Sequence, residues 1–285
     1  MRFILFSLLF VAVRVFAVQD ENPDQRPWTL VVIPDTQHYT ADWRKAPYEH
    51  MITGFQWIID SKESLNIKMV QGLGDIVQDW DSRTQWNRGE KAWNLLRGHV
   101  LYMPVAGNHD DPDSFNQRFP ALEFTRLPWW GSCYQDARNS YFTMKLSGRD
   151  YMFLQVQSFD QYSNHDFAAL MWAEGVIQNH PNHRVILATH DMYSTSIIRN
   201  RLLSKFDNIV LANAGHSCVR EKYFKERNAH SFIVDYQCDS REVFFIRYYT
   251  FYPNSSTVKF KTYSPVLNSF ETDSESDGVF HIGFP

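Results

Sequence analysis

The chain has 285 residues, 44% hydrophobic, 16% aromatic and 21% charged, a composition that excludes a disordered or collagen-like protein. With 28 basic and 32 acidic residues its formal net charge is −4, so no global positive field exists for nonspecific binding of nucleic acid or acidic lipid. Three cysteines, Cys133, Cys218 and Cys238, allow at most one intramolecular bridge and exclude a disulfide-stapled scaffold.

Residues 1–17, MRFILFSLLFVAVRVFA, combine a positive start at Arg2, an apolar run and a small-residue end at Val15 and Ala17, the pattern of a cleaved signal peptide. The run stops at Arg14 after 11 residues, short of the roughly 20 a membrane anchor needs. A secreted or endomembrane-lumenal protein is expected, with residues 18–285 as a single domain and no stable membrane anchor. Losing Arg2 and Arg14 leaves 26 basic against 32 acidic residues. The sequon Asn254-Ser255-Ser256 fits the same setting.

Residues 29–33 form a continuous apolar run ending at Pro34-Asp35, as in a strand buried on both faces. Pro47 suits a first helical position, where its missing N–H would be unpaired anyway, and from it the residues Tyr48, Met51, Ile52, Phe55, Ile58 and Ile59 recur at helical spacing. A strand over 67–70 leads into Gly72-Leu73-Gly74-Asp75, a helix surrounds Trp86, Trp93 and Leu96, and a third strand over 100–105 enters Gly107. This repetition predicts a βαβαβ half.

Residues 111–135 read as an irregular insert, and 140–146 and 151–157 as a hairpin turning at 147–150. A helix marked by Phe167, Leu170, Met171 and Ile177 ends at Pro181, and strands follow at 185–188 and 209–211. The apolar runs 232–234, 244–249 and 258–263 predict an antiparallel ladder, with 271–278 as a solvated loop before a last short strand.

Polar residues fall where these strands end: Asp35, Asp75, Asn108, His190 and His216 each follow an apolar run. In an open α/β sheet the carboxyl ends of the strands line the ligand crevice, so five segments aim metal-type donors at one place. Singly, each has a local explanation as a turn, cap or buried histidine; together they share none.

The ordered set Asp35-Thr36-Gln37, Gly74-Asp75-x-x-x-Asp79, Gly107-Asn108-His109-Asp110, Thr189-His190 and Gly215-His216-x-Cys218 resembles the calcineurin-like metallophosphoesterase superfamily over nearly the whole chain. The resemblance implies a four-layer α/β/β/α sandwich with two mixed β-sheets, and two divalent ions (Zn, Fe or Mn) sharing Asp75. Asp75, Asn108, His190 and His216 match one ion's set. The other set, Asp35, Gln37, Asp75 and Cys218, departs twice, with Gln37 and Cys218 standing where the family has His, which weakens that site. Cys218 is either a thiolate ligand or a partner of Cys238 or Cys133. His38 is an alternative donor, though neighbouring positions on an extended strand face opposite ways.

The resemblance further implies His109 as general acid, with Asp110 orienting it, on a small or medium phosphate mono- or diester. The acidic balance and the absence of a basic stripe disfavour nucleic acid as substrate. Gln78 and Asp79 would support the shell. Trp43, Trp80, Trp129 and Trp130 either rim the crevice or pack within their own loops. The alternative reading is a binding protein that kept the fold and lost turnover.

Overall fold

In the computed structural model the described residues are 25–43, 46–159, 167–241 and 243–283; the segment 1–17 read as a signal peptide lies outside them. The first part alternates: β1 (Trp28–Ile33), a one-turn helix α1 (Gln37–Thr40), α2 (Tyr48–Ser61), β2 (Ile67–Gly72), α3 (Arg83–Leu95) and β3 (Tyr102–Met103). Next come α4 (Pro112–Arg118), α5 (Ala121–Phe124), β4 (Trp130–Tyr134), β5 (Asp136–Leu146), β6 (Arg149–Val156) and α6 (Phe167–Asn179). The chain continues through β7 (Arg184–Thr189), β8 (Ile209–Ala214), β9 (Arg220–Glu226), β10 (Ala229–Asp235), β11 (Ile246–Tyr252), β12 (Thr257–Ser264), β13 (Ser269–Phe270) and β14 (Asp277–His281).

Two mixed sheets result. The first runs β13-β12-β11-β1-β2-β3, with β14 also on β12; the second runs β4-β5-β6-β7-β8-β10-β9. β1, β2 and β3 are parallel, as are β6, β7, β8 and β10. Buried β1 has a neighbour on each side, which is why its sequence is continuously apolar rather than alternating. In the second sheet the alternation divides the faces: Phe153, Ile186, Ala188 and Phe232 join the core shared with the first sheet, α2 and α3, whereas Leu154, Val185, Leu187 and Ile233 pack with Leu170, Ala173 and Ile177 of α6. This is an α/β sandwich.

Local signals place the helices. Pro47, extended at ψ 145°, is the N-cap of α2 rather than its first helical residue. The Ser82 side chain accepts the Gln85 N–H at the start of α3, which buries Trp86, Ala92 and Trp93.

Three expectations change. Residues 111–135 are not irregular: Asp111 caps α4 by accepting the Ser114 N–H, Pro112 opens the helix, and α5 and β4 follow. The run 232–234 leaves the antiparallel ladder and pairs in parallel with β8 in the second sheet. Residues 37–40 are helical rather than extended, so alternation says nothing about His38, whose Nδ1–H donates to the Gln237 carbonyl while its ring stacks on Trp43.

Candidate metal centre

Donors reach the site from both sheets. Asp35 follows β1, Asp75 follows β2 and Asn108 follows β3, while His190 leaves β7 and His216 leaves β8. All five lie beyond carboxyl ends of parallel strands, where the two sheets meet.

His190 is the centre of the arrangement and is fully buried. Its Nδ1–H donates to the Leu73 carbonyl at 2.8 Å, which leaves Nε2 with the lone pair. Around Nε2 stand Asn108 Oδ1 at 2.9 Å, His216 Nδ1 at 3.0 Å and Asp75 Oδ1 at 3.3 Å. Four electron-rich atoms this close repel unless a proton or a cation lies among them, so the donor set fits a divalent metal ion. Among the described residues, Asp75, His190 and His216 are the His, Cys, Asp or Glu group whose ligand atoms converge, within 4.8 Å of one another. Burial alone would make His190 less basic, but the Asp75 and Asp35 carboxylates raise its pKa well above the usual value. For Asp75 burial opposes ionisation, and His190 and His109 outweigh it.

The backbone is bent to make this approach. Asp75 at φ 45° and His216 at φ 71° are left-handed non-glycine residues, a conformation held only where surroundings over-determine it. Here the His109 N–H donates to Asp75 Oδ1 at 3.0 Å, and the His216 N–H to Asp35 Oδ2 at 2.9 Å. Gly74 has φ 102°, and a Cβ on it would lie 2.6 Å from His190 Nδ1.

Two assigned roles change. Cys218 is bridged to Cys238, with Cα atoms 5.3 Å apart, so its sulfur is not a thiolate ligand; the free cysteine is Cys133. Asp110 does not orient the His109 ring, because its carboxylate accepts the Ile76, Val77 and Gly107 N–H groups and binds two loops together. Burial, and then Asp75, push its pKa up to about 7. The His109 ring is set by the Gln78 carbonyl, which accepts its Nδ1–H at 2.7 Å. Asp79 and the Gln78 backbone are tied to Gln85 of α3.

Gln37 and Asp35 are buried, and Gln37 Oε1 and Asp35 Oδ1 have no hydrogen-bond partner among the described residues. Sequence reading missed Asp235 and Gln237. Gln237 Nε2–H donates to Asp35 Oδ2 at 3.3 Å and to Asp235 Oδ2 at 3.2 Å, and the Cys218 N–H donates to Asp235 Oδ2 at 2.7 Å. The signal was present: Asp235 closes the apolar run of β10 just as Asp35 follows that of β1. Trp43 and Trp80 are exposed in the loops after α1 and β2, Trp80 at 62%. Trp129 lines a cavity with Ile67 and Lys68 at the other end of β2, and Trp130 packs on Phe124 and Phe142, so neither rims the crevice.

No protein-family model matches the chain. It is 28% identical over 287 residues to the uncharacterized protein YvnB of Bacillus subtilis strain 168, a match that takes in 90% of this chain. The chain spans 22% of that relative's length. Among solved structures, GAP50, the anchor in the inner membrane complex of Plasmodium, superposes with a TM-score of 0.59 at 10% identity, over 91% of this chain and 89% of that one. The purple acid phosphatase PPD1 from yellow lupin (Lupinus luteus) seeds superposes with a TM-score of 0.56 at 12% identity, over 91% of this chain and 55% of that one.

Proposed function

Because the chain has the calcineurin-like metallophosphoesterase fold, we propose that it is a secreted, metal-dependent hydrolase of small or medium phosphate mono- or diesters. The observation that carries this reading is the convergence of Asn108 Oδ1, Asp75 Oδ1 and His216 Nδ1 on the lone pair of His190 Nε2. Asp75, Asn108, His190 and His216 would hold one divalent ion, and Asp35 lies against the same cluster, 3.9 Å from His190 Nδ1. Bound there, such ions would neutralise phosphate oxygens and acidify water. The chain's own contribution is positional. The Leu73 carbonyl keeps His190 in one tautomer, and the Gln78 carbonyl commits the His109 Nδ1–H, so a second proton on that ring sits on Nε2, and the imidazolium gives it to a leaving oxygen and returns to the neutral Nδ1–H form. Supporting secretion are the pattern of residues 1–17, the Cys218–Cys238 bridge and the sequon Asn254, exposed on the turn between β11 and β12. Among the described residues no helix is long and apolar enough to cross a membrane.

The test is hydrolysis of paired aryl phosphate mono- and diesters with added Zn, Mn, Fe or Mg. Asn108→Ala is expected to lower kcat/KM about 100-fold or more on every substrate. His109→Ala should penalise poor leaving groups by roughly 10²–10⁴ and good ones far less. The departures at Gln37 and Cys218 favour a second reading, a binding protein without turnover. A folded wild type that hydrolyses neither ester with any of these metals would establish that reading instead.

A further inference from the structure

Beside the histidine cluster lies a group of buried oxygens that the centre described above does not use. Asp35 Oδ1 and Gln237 Oε1 are both buried without a partner among the described residues, as is Gln37 Oε1 two positions after Asp35. Gln37 and Gln237 are each only 6% exposed. Gln237 is held in place by its own amide, whose Nε2–H bridges Asp35 Oδ2 and Asp235 Oδ2, and this leaves its Oε1 uncommitted next to two carboxylates. No lysine or arginine among the described residues forms an ion pair with Asp35 or Asp235. Asp35 Oδ2 and both Asp235 oxygens accept N–H groups, but Asp35 Oδ1, Gln37 Oε1 and Gln237 Oε1 accept none among the described residues, and buried oxygens left so cost several kcal/mol unless a cation satisfies them. The disulfide removes Cys218 from this position and at the same time anchors the segment that carries Gln237, since Cys238 is its next residue.

We propose that Gln237 supplies the donor that Cys218 cannot, so that Asp35, Gln37 and Gln237 form an all-oxygen site selecting a hard cation, Mn²⁺ or Ca²⁺, over Zn²⁺. Oxygen-only sets suit hard ions, while the imidazoles of His190 and His216 suit Zn²⁺ or Co²⁺. The two halves of the crevice therefore take different metals. This rests on the reading of Asp75, Asn108, His190 and His216 as a metal centre only in placing a second ion beside it.

The experiment counts bound metal in the full chain by equilibrium dialysis with Mn²⁺ and Zn²⁺ together, and records the visible spectrum with Co²⁺ for the nitrogen-rich half. Wild type should bind one Zn²⁺ and one Mn²⁺ per chain. Gln237→Leu should weaken Mn²⁺ at least 10-fold and leave the Co²⁺ spectrum unchanged. Gln237→Glu, which restores an oxygen and adds charge, should bind Mn²⁺ at least as tightly as wild type, which separates lost ligation from a damaged fold. Mn²⁺ binding that is absent in wild type, or unchanged in Gln237→Leu, would overturn the proposal. Loss of the Co²⁺ spectrum in wild type would instead overturn the histidine centre, whatever Mn²⁺ does.

Discussion

At the scale of single residues, the site is built by backbones that approach closer than a side chain allows. A Cβ on Gly215 would lie 1.9 Å from Asp35 Oδ1, so Gly215→Ala must displace either Asp35 or the start of the His216 loop. A shift of about 1 Å in a reacting constellation costs on the order of 10²-fold in rate, and a loss of this size in kcat/KM is expected. Gly175 of α6 is the control, because nothing lies within 4 Å of its added Cβ; Gly175→Ala should keep activity and gain a few tenths to about 1 kcal/mol of stability. Equal activity in the two variants would mean that Asp35 is not held where the chemistry needs it. Asp35, Asp75, Asn108, His190 and His216 were legible because a polar residue after a buried strand is conspicuous in sequence. Leu73 and Gln78 were not, since they act through carbonyl groups that every residue carries. Gln237 was invisible for another reason: it stands two residues beyond the strand end and meets Asp35 across 202 positions.

At the scale of elements, the two sheets are joined by a buried ion pair as well as by apolar packing. Arg247 of β11 is wholly buried and donates to Glu221 of β9 in the other sheet, while its Nε–H donates to Thr262 Oγ1 at 2.9 Å. Burial opposes the Glu221 charge, but Arg247 and the hydroxyls of Ser276, Thr262 and Tyr236 hold its carboxyl below the usual range. Arg247→Met would strand that carboxylate, and a loss of about 3–5 kcal/mol in denaturant unfolding is expected. Adding Glu221→Leu should return a large part of it, because an apolar pair of similar volume leaves no uncompensated charge. A single variant within 1 kcal/mol of wild type would show that the pair does not bind the sheets together. The same elements mark the limit of sequence patterning. β9 reads REKYFKE, a charged edge strand with no apolar run, so the β9–β10 hairpin was unseen and β10 was assigned to the wrong sheet. The cap at Asp111-Pro112 is legible in sequence, but the aromatic stretch around it has the composition of a loop.

At the scale of the whole molecule, the position of the centre couples it to the sandwich itself. Asp75 and Asn108 extend from the first sheet, His190 and His216 from the second, so a cation held by all four joins the strand ends of both sheets. The unfolded chain cannot present donors separated by as many as 141 sequence positions, Asp75 to His216, in one place. Metal binding should therefore stabilise the folded chain alone, by RT ln(1 + [M]/Kd), or about 2.7 kcal/mol at a hundredfold excess over Kd. For a domain of this size that corresponds to a rise in Tm of roughly 5–10 °C. Calorimetry after exhaustive chelation and after Zn²⁺ is returned should show this rise in wild type and little of it in His216→Ala. The chelated protein should still unfold in one cooperative transition, since the apolar core shared by the sheets does not depend on the ion. If chelation left Tm unchanged while Zn²⁺ was shown to bind, the ion would have to bind the folded and unfolded chains alike, through donors close together in sequence, and the convergence on His190 would not be the metal site. If chelation split the transition in two, the ion would be the main link between the sheets, and Arg247→Met would then be far more damaging in the chelated protein than in the loaded one.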